Sequence, residues 1–197
     1  GPIGAGKTSL ARVLAHHVGG EELFERPEEN PFLERFYGDM PRFALATQLT
    51  FLFQRADQLR ELTQIDMFRQ PTVSDFLLDK DPLFARLTLD DDELGLYQKI
   101  FDSLQPQAPV PDLVIYLQAH PDVLMERIAK RGRTFEKDMD KDYIRQLAEA
   151  YNHYFFHYAE TPLLVVNTNG IDFVNRPDDF EDLLKRALLF LGYRVTH

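Results

Sequence analysis

The sequence predicts an α/β fold in which a parallel β-sheet is flanked by helices. Short apolar or β-branched runs alternate with longer segments of helical periodicity along the 197 residues, as in chains built from strand–helix–strand units. The runs at 113–117 and 163–166 are continuously apolar, which is typical of parallel strands buried on both faces. The chain has no internal repeat, low-complexity tract or linker, so we expect a single domain over 1–197.

The individual elements follow from the same patterns. Strands are predicted at 23–25, 72–75, 113–117 and 163–166. Apolar residues at helical spacing predict helices at 7–17, 31–37, 42–62, 91–104, 122–130, 141–159 and 178–191. Asp90 or Asp91 is placed to cap the fourth helix, because an aspartate at a helix start accepts backbone N–H groups. The proline-rich stretch 105–111 is predicted to be a loop.

Composition and charge exclude several classes of protein. With 22 basic and 32 acidic residues, the net charge of −10 leaves no broad basic surface for a nucleic-acid polymer. No apolar run approaches the roughly 20 residues of a membrane-spanning helix, so no membrane partner is expected. The absence of cysteine excludes disulfides, thiolate zinc sites and cysteine nucleophiles and fits a reducing cytosol, so we expect a cytoplasmic protein.

A phosphate loop opens the sequence. The residues GPIGAGKT at positions 1–8 fit the pattern G-x-x-x-x-G-K-[ST]. Glycines allow backbone N–H groups to turn around phosphate oxygens, Lys7 adds a positive charge, and the Thr8 hydroxyl can bind Mg²⁺. A chance match on a glycine-rich turn is the alternative, but a helical pattern follows at once. The residues predicted to bind ATP are Gly1, Gly4, Ala5, Gly6, Lys7, Thr8 and Ser9.

Such a loop normally follows a buried strand, so we expect a further strand before Gly1 and five strands in the intact protein. GTPases, ATPases and many kinases share the loop. The chain lacks the guanine-binding pattern N-K-x-D and any long coupling domain, which favours a kinase of a small molecule.

Two acidic residues end predicted strands, where parallel sheets bind ligands. Glu25 is placed to accept a proton from an acceptor hydroxyl, and a solvent-facing carboxylate is the alternative. Asp75 is placed to hold Mg²⁺ directly or through water, and a turn or capping residue is the alternative.

Two further groups of polar residues stand out. Gln48 and Arg55 are seven residues apart beside an apolar helix face and could bind the edge of a nucleobase, unless both are simply exposed. Arg127, Arg131 and Arg133 concentrate positive charge in an acidic chain. They could clamp a transferred phosphate, or they could only complement the negative end of a helix dipole.

These residues together resemble the deoxynucleoside kinase family, in order and with matching spacing over nearly the whole chain. The resemblance rests on the phosphate loop, FERPEENPFL at 24–33, FY at 36–37, ATQLTFL at 46–52 and RIAKRGR at 127–133. It implies that Glu25 is the general base on a 5′-hydroxyl and that Tyr37 and Glu136 contact the sugar 3′-hydroxyl. It also implies that Gln48, Arg55 and Asp81 form the base site, with Asp81 as the partner of Arg55.

The resemblance further implies a lid at about 127–138 whose arginines close on the phosphates, with Arg127 also at the ATP site. A homodimer packed through long helices, plausibly 42–62 and 91–104, is implied as well. The expected reaction is transfer of the ATP γ-phosphate to a deoxyribonucleoside with Mg²⁺, with adenine, guanine or cytosine preferred over thymine.

One position departs from the family pattern. The third strand of the family usually ends in an acidic residue followed by Arg and Ser, whereas this chain has Asp75-Phe76-Leu77. Lys80 or Arg86 is a candidate to replace the missing arginine. Two other functions stay open at this point: a kinase of another small acceptor such as a nucleoside monophosphate, and a nucleotide-binding module without activity.

Overall fold

The computed structural model is an α/β structure that describes residues 1–64, 70–105, 108–173 and 175–190, without the side chains of 63 and 64. Parallel strands alternate with helices along these ranges. The helices are α1 (Lys7–Val18), α2 (Leu33–Gly38), α3 (Met40–Gln64), α4 (Asp81–Thr88), α5 (Asp91–Leu104), α6 (Pro121–Arg131), α7 (Lys141–Phe156) and α8 (Pro177–Phe190). The strands are β1 (Glu21–Leu23), β2 (Thr72–Ser74), β3 (Val114–Gln118) and β4 (Leu163–Asn167).

Most predicted elements are present, with their ends shifted by a few residues. The largest shift among the helices is in α7, which ends at Phe156 rather than at 159. The side chain of Asp90 accepts a hydrogen bond of 2.9 Å from the backbone N–H of Glu93, so it caps α5 as predicted. Residues 106–107 of the predicted loop and residue 191 of the last predicted helix lie outside the described residues.

Two elements differ from the prediction. The helix α4 was not predicted, although Pro82 in its first turn is a known helix-start signal, because proline needs no hydrogen-bond acceptor there. Strand β1 lies two residues before the predicted 23–25. The chain leaves the ladder because the N–H of Glu25 donates to the Asp75 carboxylate, at 2.9 Å, instead of to a neighbouring strand.

The strands form two parallel pairs. In one pair Glu21 lies opposite Thr72 and Leu23 opposite Ser74; in the other, the whole of β3 pairs with β4. A mostly apolar groove of about 670 Å³ separates β2 from β3, and α1 and α8 contribute to its walls. The chain starts at this groove, where a Cβ on Gly1 would lie 2.3 Å from the carbonyl oxygen of Leu117. The fifth strand, before Gly1, stays a prediction.

Apolar packing fixes the elements that carry the polar residues. The phosphate loop packs through Ala5 and the helix after it through Leu10 against a core that includes Leu124 and Ile128 of α6. A second cluster joins α3, α4 and α5 through side chains that include Leu52. Helix α3 is thereby held beside the turn that precedes α4. No helix within the described ranges is long and apolar enough to cross a membrane.

Candidate active site

The phosphate loop has the backbone geometry that its glycines permit. Gly4 and Gly6 adopt positive φ values of 84° and 94°, in the left-handed region that other residues avoid. A Cβ on Gly4 would lie 2.7 Å from the carbonyl oxygen of Leu124, so the loop also needs a glycine for space. Gly6 leads directly into α1, whose N-terminus carries a partial positive charge. The loop and helix start together can bind an anion.

The lysine of the loop lies over the loop itself. The Nζ of Lys7 donates a hydrogen bond of 3.1 Å to the carbonyl oxygen of Pro2. Burial lowers the pKa of Lys7 to about 8, since the attraction of nearby carboxylates only partly offsets the loss of solvent. A phosphate on the loop would give the ammonium a charged partner in place of the carbonyl.

Asp75 connects the phosphate loop to the end of β1. Its Oδ2 accepts a hydrogen bond of 2.5 Å from the hydroxyl of Thr8, and its Oδ1 accepts one of 2.9 Å from the backbone N–H of Glu25. Burial raises the pKa of the Asp75 carboxyl. The carboxylate and the hydroxyl form a pair of oxygen atoms beside the loop, the ligand type that Mg²⁺ prefers.

Glu25 belongs to a cluster of four charged residues. Its Oε1 accepts a hydrogen bond of 2.8 Å from Nε of Arg55 and a second one from Nη2. The same guanidinium donates from Nη1 to Oδ2 of Asp81 at 2.6 Å, and Nζ of Lys80 lies 3.6 Å from Oε1 of Glu25. Burial alone would raise the pKa of Glu25, but the charges of Arg55 and Lys80 outweigh it and hold the pKa well below its usual range.

The phosphate loop faces one cavity of about 120 Å³ together with Glu25 and Arg55 of this cluster. We call it the active-site cavity. Its walls include aromatic rings that the sequence did not single out, namely those of Phe36, Phe51, Phe84 and Phe135. The predicted residues that line it are Gly4, Lys7, Thr8, Glu25, Tyr37, Gln48, Arg55, Asp75, Arg131, Arg133 and Glu136. The larger groove between β2 and β3 is mostly apolar and is not the candidate site.

Other predicted residues lie beside the cavity rather than on its wall. Gly1, Ala5, Gly6 and Ser9 belong to the loop or to the first turn of α1. Asp81 lies behind Arg55 and is almost fully buried, with 2% of its side chain exposed. The Arg55–Asp81 pair that the family resemblance implies is therefore present, whereas its role in base binding stays a prediction.

Within the predicted lid, Arg131 and Arg133 are both paired with carboxylates. Arg131 binds Glu136 through two hydrogen bonds, one of them 3.0 Å from Nε to Oε2. Arg133 reaches across to Glu28, with 3.3 Å between Nη2 and Oε1. Gly132, with a φ of 67°, ends α6 between them and turns the chain toward the cavity. Protein carboxylates therefore hold both arginines beside the cavity, and the lid itself stays a prediction.

Arg127 is not brought into the active-site cavity. Its Nη1 donates to the hydroxyl of Thr168 at 3.1 Å and its Nη2 to the Thr168 carbonyl oxygen. These bonds attach α6 to the segment after β4. The predicted contact of Arg127 with ATP stays a prediction, and in this arrangement its guanidinium has a structural role.

The structure distinguishes between Lys80 and Arg86, the two candidates to replace the arginine that is missing at Phe76. Phe76 itself is buried and brings no charge to the site. Arg86 is an exposed residue of α4. Lys80 is buried with its ammonium beside Glu25, a placement that the sequence could not show because it depends on how the turn before α4 packs on α3.

Comparison with known proteins identifies the family. A profile of the deoxynucleoside kinase family matches residues 1–191. The chain belongs to the deoxynucleoside kinase family. Curated relatives of this kinase chain include a deoxyguanosine kinase of Bacillus subtilis (strain 168), 35% identical over 186 residues that cover 92% of this chain and 90% of the relative. A deoxyadenosine kinase of Lactobacillus acidophilus is 31% identical over 199 residues, with 94% and 91% covered.

Solved structures agree with the family fold. A deoxyadenosine kinase from M. mycoides, with dCMP and a flexible dCDP bound as products, superposes with a TM-score of 0.82 over 94% of each chain at 25% identity. The same enzyme with bound dATP gives a TM-score of 0.81 at 23% identity, over 94% of this chain and 95% of that one. The predicted α/β phosphate-loop kinase fold and the family resemblance are confirmed.

Proposed function

We propose that this protein transfers the γ-phosphate of ATP to the 5′-hydroxyl of a deoxyribonucleoside, giving ADP and a deoxyribonucleoside 5′-monophosphate for nucleotide salvage. One observation carries the proposal: the Glu25 carboxylate and the phosphate-loop residues Lys7 and Thr8 face the same cavity. Membership of the deoxynucleoside kinase family supports it. A base and a phosphate site on one cavity are what transfer to a hydroxyl needs.

Glu25 is proposed as the general base. Within the described residues, Arg55 and Lys80 both contact Oε1, and no hydrogen bond to Oε2 is present. Oε2 therefore remains available to accept the proton of the acceptor hydroxyl, while the hydroxyl oxygen forms a bond to the γ-phosphorus. The bond from that phosphorus to the ADP oxygen breaks in the same step. A weakly basic carboxylate suffices, because a loose phosphoryl-transfer transition state needs positioning more than a strong nucleophile.

The donor phosphates are proposed to bind at the loop, with Lys7 exchanging the Pro2 carbonyl for a phosphate oxygen. Arg131 would part from Glu136 and Arg133 from Glu28, and both arginines would then stabilise the negative charge on the transferred phosphoryl group. Thr8 and Asp75 fit Mg²⁺, since both offer oxygen ligands beside the loop, and phosphate oxygens and water commonly complete its shell. The ion would neutralise negative charge on the phosphates.

The acceptor is proposed to be a purine deoxyribonucleoside. The Gln48 amide lines the cavity and can pair with a base edge. The guanidinium of Arg55 lies 5.0 Å from the centre of the Phe51 ring, which places a flat apolar surface next to the same polar groups. Two relatives above 30% identity are named for deoxyguanosine and deoxyadenosine. Tyr37 and Glu136 are proposed to contact the 3′-hydroxyl.

A homodimer through α3 and α5 is part of the proposal. Phe53 on α3 and Leu96 on α5 are large apolar residues that are 47% and 49% exposed. The two helices pack against each other through buried residues next to these in the chain, which include Leu52 and Tyr97. An apolar surface of this kind favours association with a second copy.

The test is incubation with Mg-ATP and a panel of deoxynucleosides and deoxynucleoside monophosphates, followed by identification of products. We expect phosphorylation at a 5′-hydroxyl and a loss of about 10²- to 10⁴-fold in turnover for Glu25→Gln, with ATP binding retained. Glu29→Gln is the matched control, because that carboxylate is 57% exposed and pairs only with Arg26 among the described contacts. Products formed only from monophosphates, or ATP binding without any product, would contradict the proposal.

A further inference from the structure

A second cation contacts the proposed catalytic carboxylate from the side of the protein interior. Lys80 ends the helical turn Leu78–Lys80 and is 4% exposed. Its Nζ lies 3.6 Å from Oε1 of Glu25 and 3.8 Å from Oδ1 of Asp81. That Asp81 oxygen is buried without a hydrogen-bond partner. The ammonium is therefore placed between two carboxylate oxygens that both face it.

The position of Lys80 is set by packing. Its Nζ lies 4.6 Å from the centre of the Phe84 ring, close enough for a cation–π contact. Leu78, two residues earlier, belongs to the buried cluster that joins the turn to α3 and α5. Because Phe84 lies on α4 and the turn leads directly into α4, the lysine stem has little freedom to leave the carboxylates. Packing thus fixes the position of the Lys80 ammonium beside the two carboxylates.

The cluster is electrically balanced only if Lys80 is counted. Glu25 and Asp81 carry two negative charges, and Arg55 and Lys80 carry two positive charges. Without Lys80 the cluster would keep one uncompensated negative charge, with only 2% of the Asp81 side chain exposed to solvent. An unpaired charge in such surroundings is costly and would attract Arg55 toward Asp81 and away from Glu25.

Lys80 acts on the substrate only through Glu25. It lines the groove between β2 and β3 and is not among the described residues that line the active-site cavity. We propose that Lys80 is a positioning residue that, with Arg55, holds Oε1 of Glu25 so that Oε2 faces the acceptor hydroxyl. A carboxylate held at one oxygen from two directions cannot rotate freely, whereas one held by Arg55 alone can. This inference rests on the proposed function.

The experiment compares steady-state kinetics of the wild type with Lys80→Met, Lys80→Arg and Lys185→Met. Lys185 is an exposed residue of α8 and serves as the control for loss of a lysine charge. We expect Lys80→Met to lower kcat about 10- to 100-fold with both KM values nearly unchanged, since positioning acts on the transition state. Lys80→Arg, which keeps the charge, should retain most of kcat, and the control should match the wild type.

A double-variant cycle tests whether Lys80 works through Glu25. Lys80→Met introduced into Glu25→Gln should lower the residual rate no further, because the group that it positions is already lost. An equal loss in both backgrounds, or wild-type kcat for Lys80→Met, would refute the inference. If circular dichroism shows that Lys80→Met does not fold, Lys80→Gln takes its place with the same expected results. Wild-type protein that transfers phosphate to no acceptor would instead refute the proposed function, and the inference with it.

Discussion

Replacement of Arg55 by methionine should destabilise the protein strongly. The Arg55 side chain is 6% exposed and lies between the carboxylates of Glu25 and Asp81, which are 21% and 2% exposed. Removing one partner of a buried ion pair costs about 3–5 kcal/mol, because the remaining charge is left unpaired. Glu25 can regain some water and Lys80 stays nearby, so we expect the lower end of this range, about 3 kcal/mol of unfolding free energy.

Urea unfolding followed by far-ultraviolet circular dichroism measures this change. The chain has no tryptophan, so indole fluorescence cannot report it. Arg60→Met is the matched control on the same helix, since Arg60 is 48% exposed and pairs with Asp57, which is 62% exposed. An exposed pair of this kind is worth at most about 1 kcal/mol. The two variants thus compare loss of a buried arginine with loss of an exposed one on the same helix.

The pH dependence gives the prediction a second test. Burial already raises the pKa of Asp81 above its usual value, and loss of the neighbouring guanidinium removes the charge that opposed this rise. A carboxyl whose pKa is higher in the folded state takes up its proton there first, so lowering the pH favours folding. The stability deficit of Arg55→Met should therefore shrink as the pH falls from about 8 to about 5. A deficit under about 1 kcal/mol, or one that does not change with pH, would refute the description of a buried, ionised cluster.

Three other features yield predictions. Gly4→Ala should lower the unfolding free energy by about 1–3 kcal/mol in denaturation and weaken ATP binding in calorimetry, because residue 4 has a φ of 84° and faces the Leu124 carbonyl. Gly38→Ala is the control, since no atom lies within 4 Å of its added Cβ, and equal losses in the two variants would contradict the reasoning. ATP binding near pH 8 should take up protons, since triphosphate raises the pKa of Lys7 from about 8; calorimetric heats that are identical in buffers of different ionisation enthalpy would contradict this. Phe53→Asp should convert the proposed dimer to a monomer in light scattering, and an unchanged mass would exclude α3 from the interface.

Features encoded by neighbouring residues could be predicted from the sequence. The phosphate loop is one, because its glycines, Lys7 and Thr8 act within eight consecutive positions and the backbone follows directly from them. The cap at Asp90 is another, since a capping side chain reaches only three residues along the chain. Asp75 directly follows β2 and Glu25 lies two residues beyond β1, so the two carboxylates are close together, as expected where parallel strands end at the same edge of a sheet.

Features that depend on residues distant in the sequence could not be predicted. Glu25 and Arg55 are 30 positions apart, and their pairing follows from the way α3 packs beside the end of β1. Arg127 fits the family pattern as well as Arg131 does, yet it lies one turn earlier on the same helix, where its side chain reaches Thr168 instead of the cavity. The position of β1 was wrong by two residues because its polar sequence has no apolar run to mark the strand, and the partner strand decides which residues pair.

The ion pair between Arg133 and Glu28 has a consequence for how the protein responds to dissolved salt. A cavity of about 120 Å³ is smaller than the roughly 300 Å³ at which ligand pockets begin, so side chains on its wall must move to admit a nucleoside, and the Arg133–Glu28 pair is one contact whose parting would free a wall residue. Dissolved ions screen this exposed pair and make parting easier. The same ions weaken the attraction between the arginines and a triphosphate. A higher ionic strength should therefore ease entry of the neutral acceptor and weaken binding of the charged donor.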